Sequence, residues 1–332
     1  MTTEQRIEQF RASYRAVRGE IGRVVVGQAE VVDGVLGAVL AGGHVLLEGV
    51  PGLGKTLLVR TLGDVLELSF SRIQFTPDLM PADILGTNLV IESPNGGRVF
   101  QFHRGPIFAN LVLADEINRA TPKTQSAMLE AMQERQVSVA GEVRPLPNPF
   151  FVLATQNPID QEGTYPLPEA QLDRFFCKLV VGYPTADELT EVLTRTTEGR
   201  GLLARKCLDE AGLSRMQELV REVPVAVHVK DYAVRLVLAT HPGTVTAAKS
   251  TARFLRFGSS PRGAQCLVLA GKVRALTEGR FSVSTDDIAA VAPAVLRHRL
   301  ILNYEAEAER VSTDEVIRSV LEETARLAQG NP

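Results

Sequence analysis

The sequence predicts an α/β domain built on a mostly parallel sheet, followed by a second domain that is all α. Three observations carry this reading. Apolar strand-like runs alternate with helix-period segments as far as Val181, and only helical periodicity follows Pro184. The run His44-Val45-Leu46-Leu47-Glu48 leads into Gly49-Val50-Pro51-Gly52-Leu53-Gly54-Lys55-Thr56 and then into a helical stretch from Leu57. That is the strand, glycine-rich loop and helix order of a phosphate-binding loop. A further apolar run, Leu111-Val112-Leu113-Ala114, ends in Asp115-Glu116, as a buried parallel strand does at the end where ligand sites lie. The boundary falls near residue 184, which divides the chain into 1–184 and 185–332.

The elements follow in order. Ile7, Phe10, Tyr14, Val17 and Ile21 recur at three- and four-residue steps and mark an amphipathic helix. After Val24-Val25-Val26-Gly27-Gln28, a second helix carries Val31, Val32, Val35, Leu36, Val39 and Leu40 and stops at Gly42-Gly43. The phosphate loop comes next, and Ser69 to Phe75 reads as a strand. Two β-prone runs, 88–91 and 98–102, flank Ser93-Pro94-Asn95-Gly96-Gly97, and Asn-Gly between such runs signals a hairpin. Thr121 to Gln133 reads as a helix with Thr121 at the N-cap and Pro122 at its first position. Residues 136–139 and 142–144 around Ala140-Gly141 suggest a second hairpin. Phe150 to Ala154 and Lys178 to Val181 are the last core strands. Helices are expected around Met216–Val220, Tyr232–Thr240, Gly263–Thr277, Asp286–Leu300 and Asp314–Leu327. His241 to Ser260, rich in Gly, Ser, Thr and Lys, reads as a long and mobile polar loop.

The loop chemistry is specific. Glycines let backbone N–H groups curl around a phosphate without Cβ clashes. The helix N-terminus adds favourable partial charge. Lys55 can reach the β- and γ-phosphates, and Thr56 can place a hydroxyl on Mg²⁺. The carboxylate pair lies roughly 60 residues further on, a usual Walker spacing. Asp115 would hold the Mg²⁺ through water, and Glu116 is placed to orient or deprotonate an attacking water. A nucleotide carrier needs only the first carboxylate, so the second favours hydrolysis.

Composition bounds the rest. With 332 residues, 45% of them hydrophobic and 23% charged, the chain is an ordinary soluble protein with room for one large domain or two smaller ones. A net charge of −3 argues against a surface built mainly for nucleic acid. No apolar run approaches the roughly 20 residues a membrane span requires, and Met1-Thr2-Thr3-Glu4-Gln5 lacks a signal pattern. Cys177, Cys207 and Cys266 are isolated and read as buried apolar residues in a reducing, cytoplasmic compartment. The five histidines show no zinc-ligand spacing, so no structural metal is expected.

These residues resemble the AAA+ ATPases and, within them, the MoxR family, over nearly the whole chain. The resemblance implies a P-loop AAA+ domain with a parallel sheet and β-hairpin inserts, followed by an all-α lid. Thr155-Gln156-Asn157-Pro158 resembles sensor 1, which implies that Asn157 positions the attacking water. Pro168-Glu169-Ala170-Gln171-Leu172-Asp173-Arg174-Phe175 resembles the arginine-finger segment. That implies that Arg174 reaches the γ-phosphate bound by a neighbouring subunit, where a guanidinium stabilises charge on the equatorial oxygens. Arg119 is a second candidate for that role. Gly258-Ser259-Ser260-Pro261-Arg262-Gly263 resembles sensor 2, with Arg262 on the γ-phosphate. Val26-Gly27-Gln28 resembles the lining of the adenine pocket. The hairpins resemble the helix-2 and pre-sensor inserts shared with magnesium-chelatase, minichromosome-maintenance and enhancer-binding relatives. The segments 74–86 and 165–170 are similar to MoxR more narrowly. Thr244 to Phe257 is longer than usual for the family.

The resemblance implies ATP and Mg²⁺ as cofactors, a ring of six subunits, and chaperone-like remodelling of client protein complexes. Such clients often contain metal cofactors, and partners carry von Willebrand factor A domains. The alternative is a nucleic-acid motor of the helicase-related group, since its relatives touch DNA with the same hairpins. Here Arg98, His103, Arg135 and Arg144 flank them, offset by Glu92 and Glu142. An enhancer-binding activator is disfavoured because the Gly-Ala-Phe-Thr-Gly-Ala loop is absent.

Overall fold

The apolar steps of the first segment form one helix, α1 (Thr3–Val24), which buries Ile7, Phe10, Val17 and Ile21. Thr2 and Gln5 close a reciprocal capping box at its start. The next apolar segment forms α2 (Ala29–Ala41). The structure is a computed structural model that describes residues 1–92, 98–158, 164–197 and 203–328.

The α/β part runs β1 (Val45–Glu48), α3 (Lys55–Val65), β2 (Phe70–Gln74), α4 (Pro81–Leu85), β3 (Gly86–Glu92), β4 (Arg98–Arg104), β5 (Leu111–Asp115), α5 (Pro122–Glu134), β6 (Gln136–Val139), β7 (Glu142–Pro145), β8 (Phe151–Gln156), α6 (Glu169–Leu172) and β9 (Cys177–Val180). Five strands form one parallel sheet in the order β2-β5-β8-β1-β9. Its register pairs Glu48 with Gln156 and Gln74 with Asp115. The loops after β1, β5 and β8 therefore leave one edge of the sheet side by side, where parallel sheets place their ligands.

Alternate side chains of the central strands point to opposite faces. Val45, Leu47, Leu111, Leu113, Phe151 and Leu153 pack in one cluster with α1, α2 and α3. Leu46, Val112, Ala114, Val152 and Ala154 pack on the other face with Met128, Leu129 and Met132 of α5. Both expected hairpins form, as antiparallel pairs β3–β4 and β6–β7. The expected tip of the first, Ser93-Pro94-Asn95-Gly96-Gly97, lies outside the described residues. Thr121 sits at the N-cap of α5, but its side chain makes no capping hydrogen bond and lies 3.3 Å from the Thr124 hydroxyl instead.

The C-terminal part runs α7 (Ala186–Thr197), α8 (Glu210–Glu222), α9 (Val227–Leu238), α10 (Lys249–Phe254), β10 (Leu255–Phe257), α11 (Pro261–Thr277), α12 (Thr285–Leu296), β11 (Ile301–Leu302), α13 (Tyr304–Glu309) and α14 (Thr313–Ala328). Leu267, Ile288 and Val320 of these helices join the same apolar cluster as α1 and α2. The helical part also contains a short antiparallel pair, β10–β11, too brief for periodicity to reveal.

Two expectations need correction. His241 to Ser260 is not a polar loop throughout, because it contains α10 and β10. Long-range contacts override its composition: Lys249 N donates to Glu323 Oε2 at 3.0 Å and Asn303 N to Phe254 O at 2.9 Å, while Ala248 N donates more locally to Ala239 O at 3.0 Å. Cys177 and Cys266 are buried as expected, but Cys207 is exposed. Its segment lies against α3, with Cys207 N and Leu208 N both donating to Val65 O.

Candidate active site

The phosphate loop leaves β1 and enters α3 at Lys55, so Lys55, Thr56 and Leu57 form the first turn of a helix whose N–H groups face an incoming anion. Gly52 and Gly54 have φ of +86° and +75°, and an added Cβ at either would meet nothing within 4 Å. Glycine is demanded there by backbone conformation rather than crowding. Lys55 Nζ donates to Gly49 O, and to Val50 O at 3.2 Å. Burial pulls its ammonium below the usual value, while Asp115, Glu116 and Glu48 oppose that shift.

A cleft of about 360 Å³ opens over the loop, lined by Pro51, Gly52, Gly54, Lys55, Thr56, Arg72, Gln74, Asp115, Glu116, Thr155 and Asn157. One hydroxyl ties the Asp115 carboxylate to the backbone of Glu116. Thr155 Oγ1 donates to Asp115 Oδ1 at 2.6 Å and accepts from Glu116 N at 2.8 Å. Glu116 has φ of +57°, a left-handed conformation that costs a non-glycine residue about 1–2 kcal/mol. Its carboxylate accepts from Gln74 Nε2 at 3.0 Å and Arg119 Nη1 at 2.9 Å. The other oxygen of Asp115, Oδ2, accepts from Arg72 Nη2 at 2.7 Å and Nε at 3.1 Å.

The donor set suits Mg²⁺. Thr56 and Asp115 offer hard oxygens, and the structure places a guanidinium, a substitute positive charge, directly on Asp115. No group of three or more His, Cys, Asp or Glu residues is disposed to hold an ion among the described residues, so phosphate oxygens and water would complete the shell.

The remaining sequence candidates divide into two sets. Val26, Gly27 and Gln28 flank the phosphate loop: Gln28 Nε2 donates to Leu53 O at 2.7 Å, and Glu188 fills the space a side chain at Gly27 would need. Asn157 lines the cleft. Arg174 and Arg262 do not. Arg174 is half-buried on the turn between α6 and β9, and its guanidinium has no hydrogen-bond or ion-pair partner among the described residues. Arg262 lies 3.7 Å from Asp173 Oδ2 and so sits beside the Arg174 segment. Arg119 is engaged by Glu116 of its own subunit.

Sequence reasoning assigned no role to Arg72, Thr155, Asp173 or Arg299. A charged residue within a strand that pairs against apolar β5 was a signal for Arg72; Asp173 and Arg299 lie far apart in the chain and carried none.

The profile described as "ATPase family associated with various cellular activities (AAA)" matches residues 44–177, and that of the AAA lid domain matches residues 247–320. The chain is 46% identical over 314 residues to "Chaperone MoxR1" of Mycobacterium tuberculosis, covering 94% of this chain and 81% of that one. It is 30% identical over 323 residues to "Protein MoxR" of Paracoccus denitrificans, covering 92% and 94%. Its fold matches the crystal structure of a proposed ATPase from Cytophaga hutchinsonii with a TM-score of 0.89 and 42% identity, covering 96% of each chain.

Proposed function

The chain belongs to the MoxR family of AAA+ ATPases, and on that premise we propose that it hydrolyses Mg²⁺-bound ATP at the interfaces of a six-membered ring to remodel client protein complexes. One observation carries the reading: a single cleft gathers the phosphate loop, both strand-end carboxylates and Asn157. Incoming phosphate exchanges the Gly49 and Val50 carbonyls for its own oxygens at Lys55. Thr56, and Asp115 through water, would hold Mg²⁺, which would supply positive charge to the phosphates. Val26, Gly27 and Gln28 contact the adenine. Asn157 orients water, and Glu116, once released by Gln74 and Arg119, accepts its proton. Arg174, outside this cleft, serves the nucleotide of the adjacent subunit, and Arg262, held beside Asp173, contacts the γ-phosphate and couples nucleotide state to lid position. The α/β domain spans 1–184 and the lid 185–332.

The clients are folded protein complexes in the cytoplasm, among them proteins with von Willebrand factor A domains. The described residues contain no helix long and apolar enough to cross a membrane. Nothing in the comparisons supports the nucleic-acid reading, and two of the four hairpin cations are engaged within the chain. Arg144 pairs with Glu142 and stacks 3.8 Å from the Phe102 ring centroid, and Arg135 points to Gly42 O. The test is Glu116→Gln, which keeps the shape of the side chain and cannot take a proton. It should bind ATP, hydrolyse it at least 10²-fold more slowly, on the order of a lost general base, and retain client in a pull-down. Turnover within threefold of wild type would overturn the assignment.

A further inference from the structure

Asp173 precedes Arg174, and its carboxylate is the meeting point of three groups from the C-terminal helices. Arg299, just beyond α12, donates from Nε to Asp173 Oδ1 at 2.9 Å. Ser260, the N-cap of α11, places its hydroxyl 2.9 Å from both carboxylate oxygens. Arg262, in the first turn of α11, lies 3.7 Å from Oδ2. Arg299 does more than pair with the carboxylate. Its side chain is 1% exposed, and its other nitrogens donate to three carbonyls of the same turn: Asp173 O at 3.3 Å, Phe175 O at 2.6 Å and Phe176 O at 3.2 Å. His298 adds a contact to Phe175 O at 3.2 Å.

The backbone on both sides of Arg174 is thus bound to one planar guanidinium, while the Arg174 side chain itself has no partner among the described residues. A guanidinium presents five donors in a fixed fork, so it transmits position rather than merely supplying charge. A buried arginine also requires a carboxylate, and Asp173 is the one it has.

We propose that Asp173 and Arg299 are positioning residues for Arg174, fastening the turn that carries it to the lid of its own subunit. A lid displacement set by one subunit's nucleotide then moves the arginine that serves the next subunit's site. This rests on the reading of Arg174 as acting across the interface.

The test uses full-length Asp173→Asn and Arg299→Lys. Each should leave nucleotide Kd and KM within twofold of wild type and lower kcat by ~10²-fold, the scale of a misplaced catalytic group. Mixed rings locate the lesion. Asp173→Asn subunits mixed with Glu116→Gln subunits should recover activity, because some interfaces then carry neither defect. Asp173→Asn mixed with Arg174→Ala should recover none, because both defects lie on the donating side of every interface. Recovery in that second mixture, or an unchanged kcat, overturns the proposal. Should the charge variants fail to fold, Ser260→Gly removes one bond to Asp173 while leaving the helix cap nearly intact. It should lower kcat alone, and an unchanged kcat overturns the proposal equally. An Arg174→Ala protein with wild-type rate would instead remove the interface reading beneath it.

Discussion

Replacing Arg72 by alanine should weaken the nucleotide-free protein and strengthen its hold on Mg²⁺-nucleotide. Asp115 Oδ1 is taken by Thr155 and Oδ2 by Arg72, so a cation at Asp115 competes with the guanidinium for Oδ2. Breaking a fully buried pair costs about 3–5 kcal/mol, and an exposed one about 0–1 kcal/mol. Here the carboxylate side chain is 11% exposed and the guanidinium 48%, which places the loss at about 1–2 kcal/mol between those limits. Removing the competitor returns a similar amount to cation binding, or about 5- to 30-fold in affinity. Thermal melts without ligand should fall by several degrees. Calorimetry with a slowly hydrolysed ATP analogue should show tighter binding in Mg²⁺ and little change in its absence. Binding that weakens in Mg²⁺ would refute this reasoning and place the guanidinium on the phosphates. An affinity ratio with and without Mg²⁺ that matches wild type would refute it as well.

Lys55→Ala should abolish nucleotide binding, read by calorimetry, because Lys55 is the cation at the mouth of the phosphate loop. Arg174→Ala should leave binding intact and lower kcat by on the order of 10³ or more; mixing it with Glu116→Gln subunits should restore part of the rate. Acid should destabilise the fold through His44, whose Nδ1 accepts from Val152 N at 3.0 Å and whose Nε2 meets Met132 O at 3.1 Å. Burial pushes its pKa from 6.5 down to about 4. Between those values the unfolded chain takes up a proton that the folded one refuses, so stability is full above pH 6.5 and falls by about 3 kcal/mol on the way to pH 4. Buried His298, also held well below its usual value, acts in the same direction. Urea unfolding at pH 7 and pH 4.5 reads the slope, and His44→Gln should reduce it; an unchanged slope would show that other groups carry the acid sensitivity.

Local chemistry determined much of this protein. The loop from Gly49 to Thr56 is legible because strand, glycine turn and helix start are all encoded within a dozen neighbouring residues. The spacing of Ile7, Phe10, Val17 and Ile21 specifies the buried face of α1 for the same reason. Both hairpins, β3–β4 and β6–β7, follow from β-prone runs around short turns. Tertiary structure decided what depends on partners distant in the chain. The order β2-β5-β8-β1-β9 is set by which strands bury each other, and periodicity within a strand does not specify its neighbour. Arg72 meets Asp115 only because β2 lies beside β5, with Gln74 opposite Asp115. Ala248 to Phe257 takes regular structure because Glu323 and Asn303 supply its hydrogen bonds. Asp173 is a polar turn residue until folding delivers Ser260, Arg262 and Arg299 to it. A buried charge is tolerated only where such partners converge, and their convergence is a property of the packed chain.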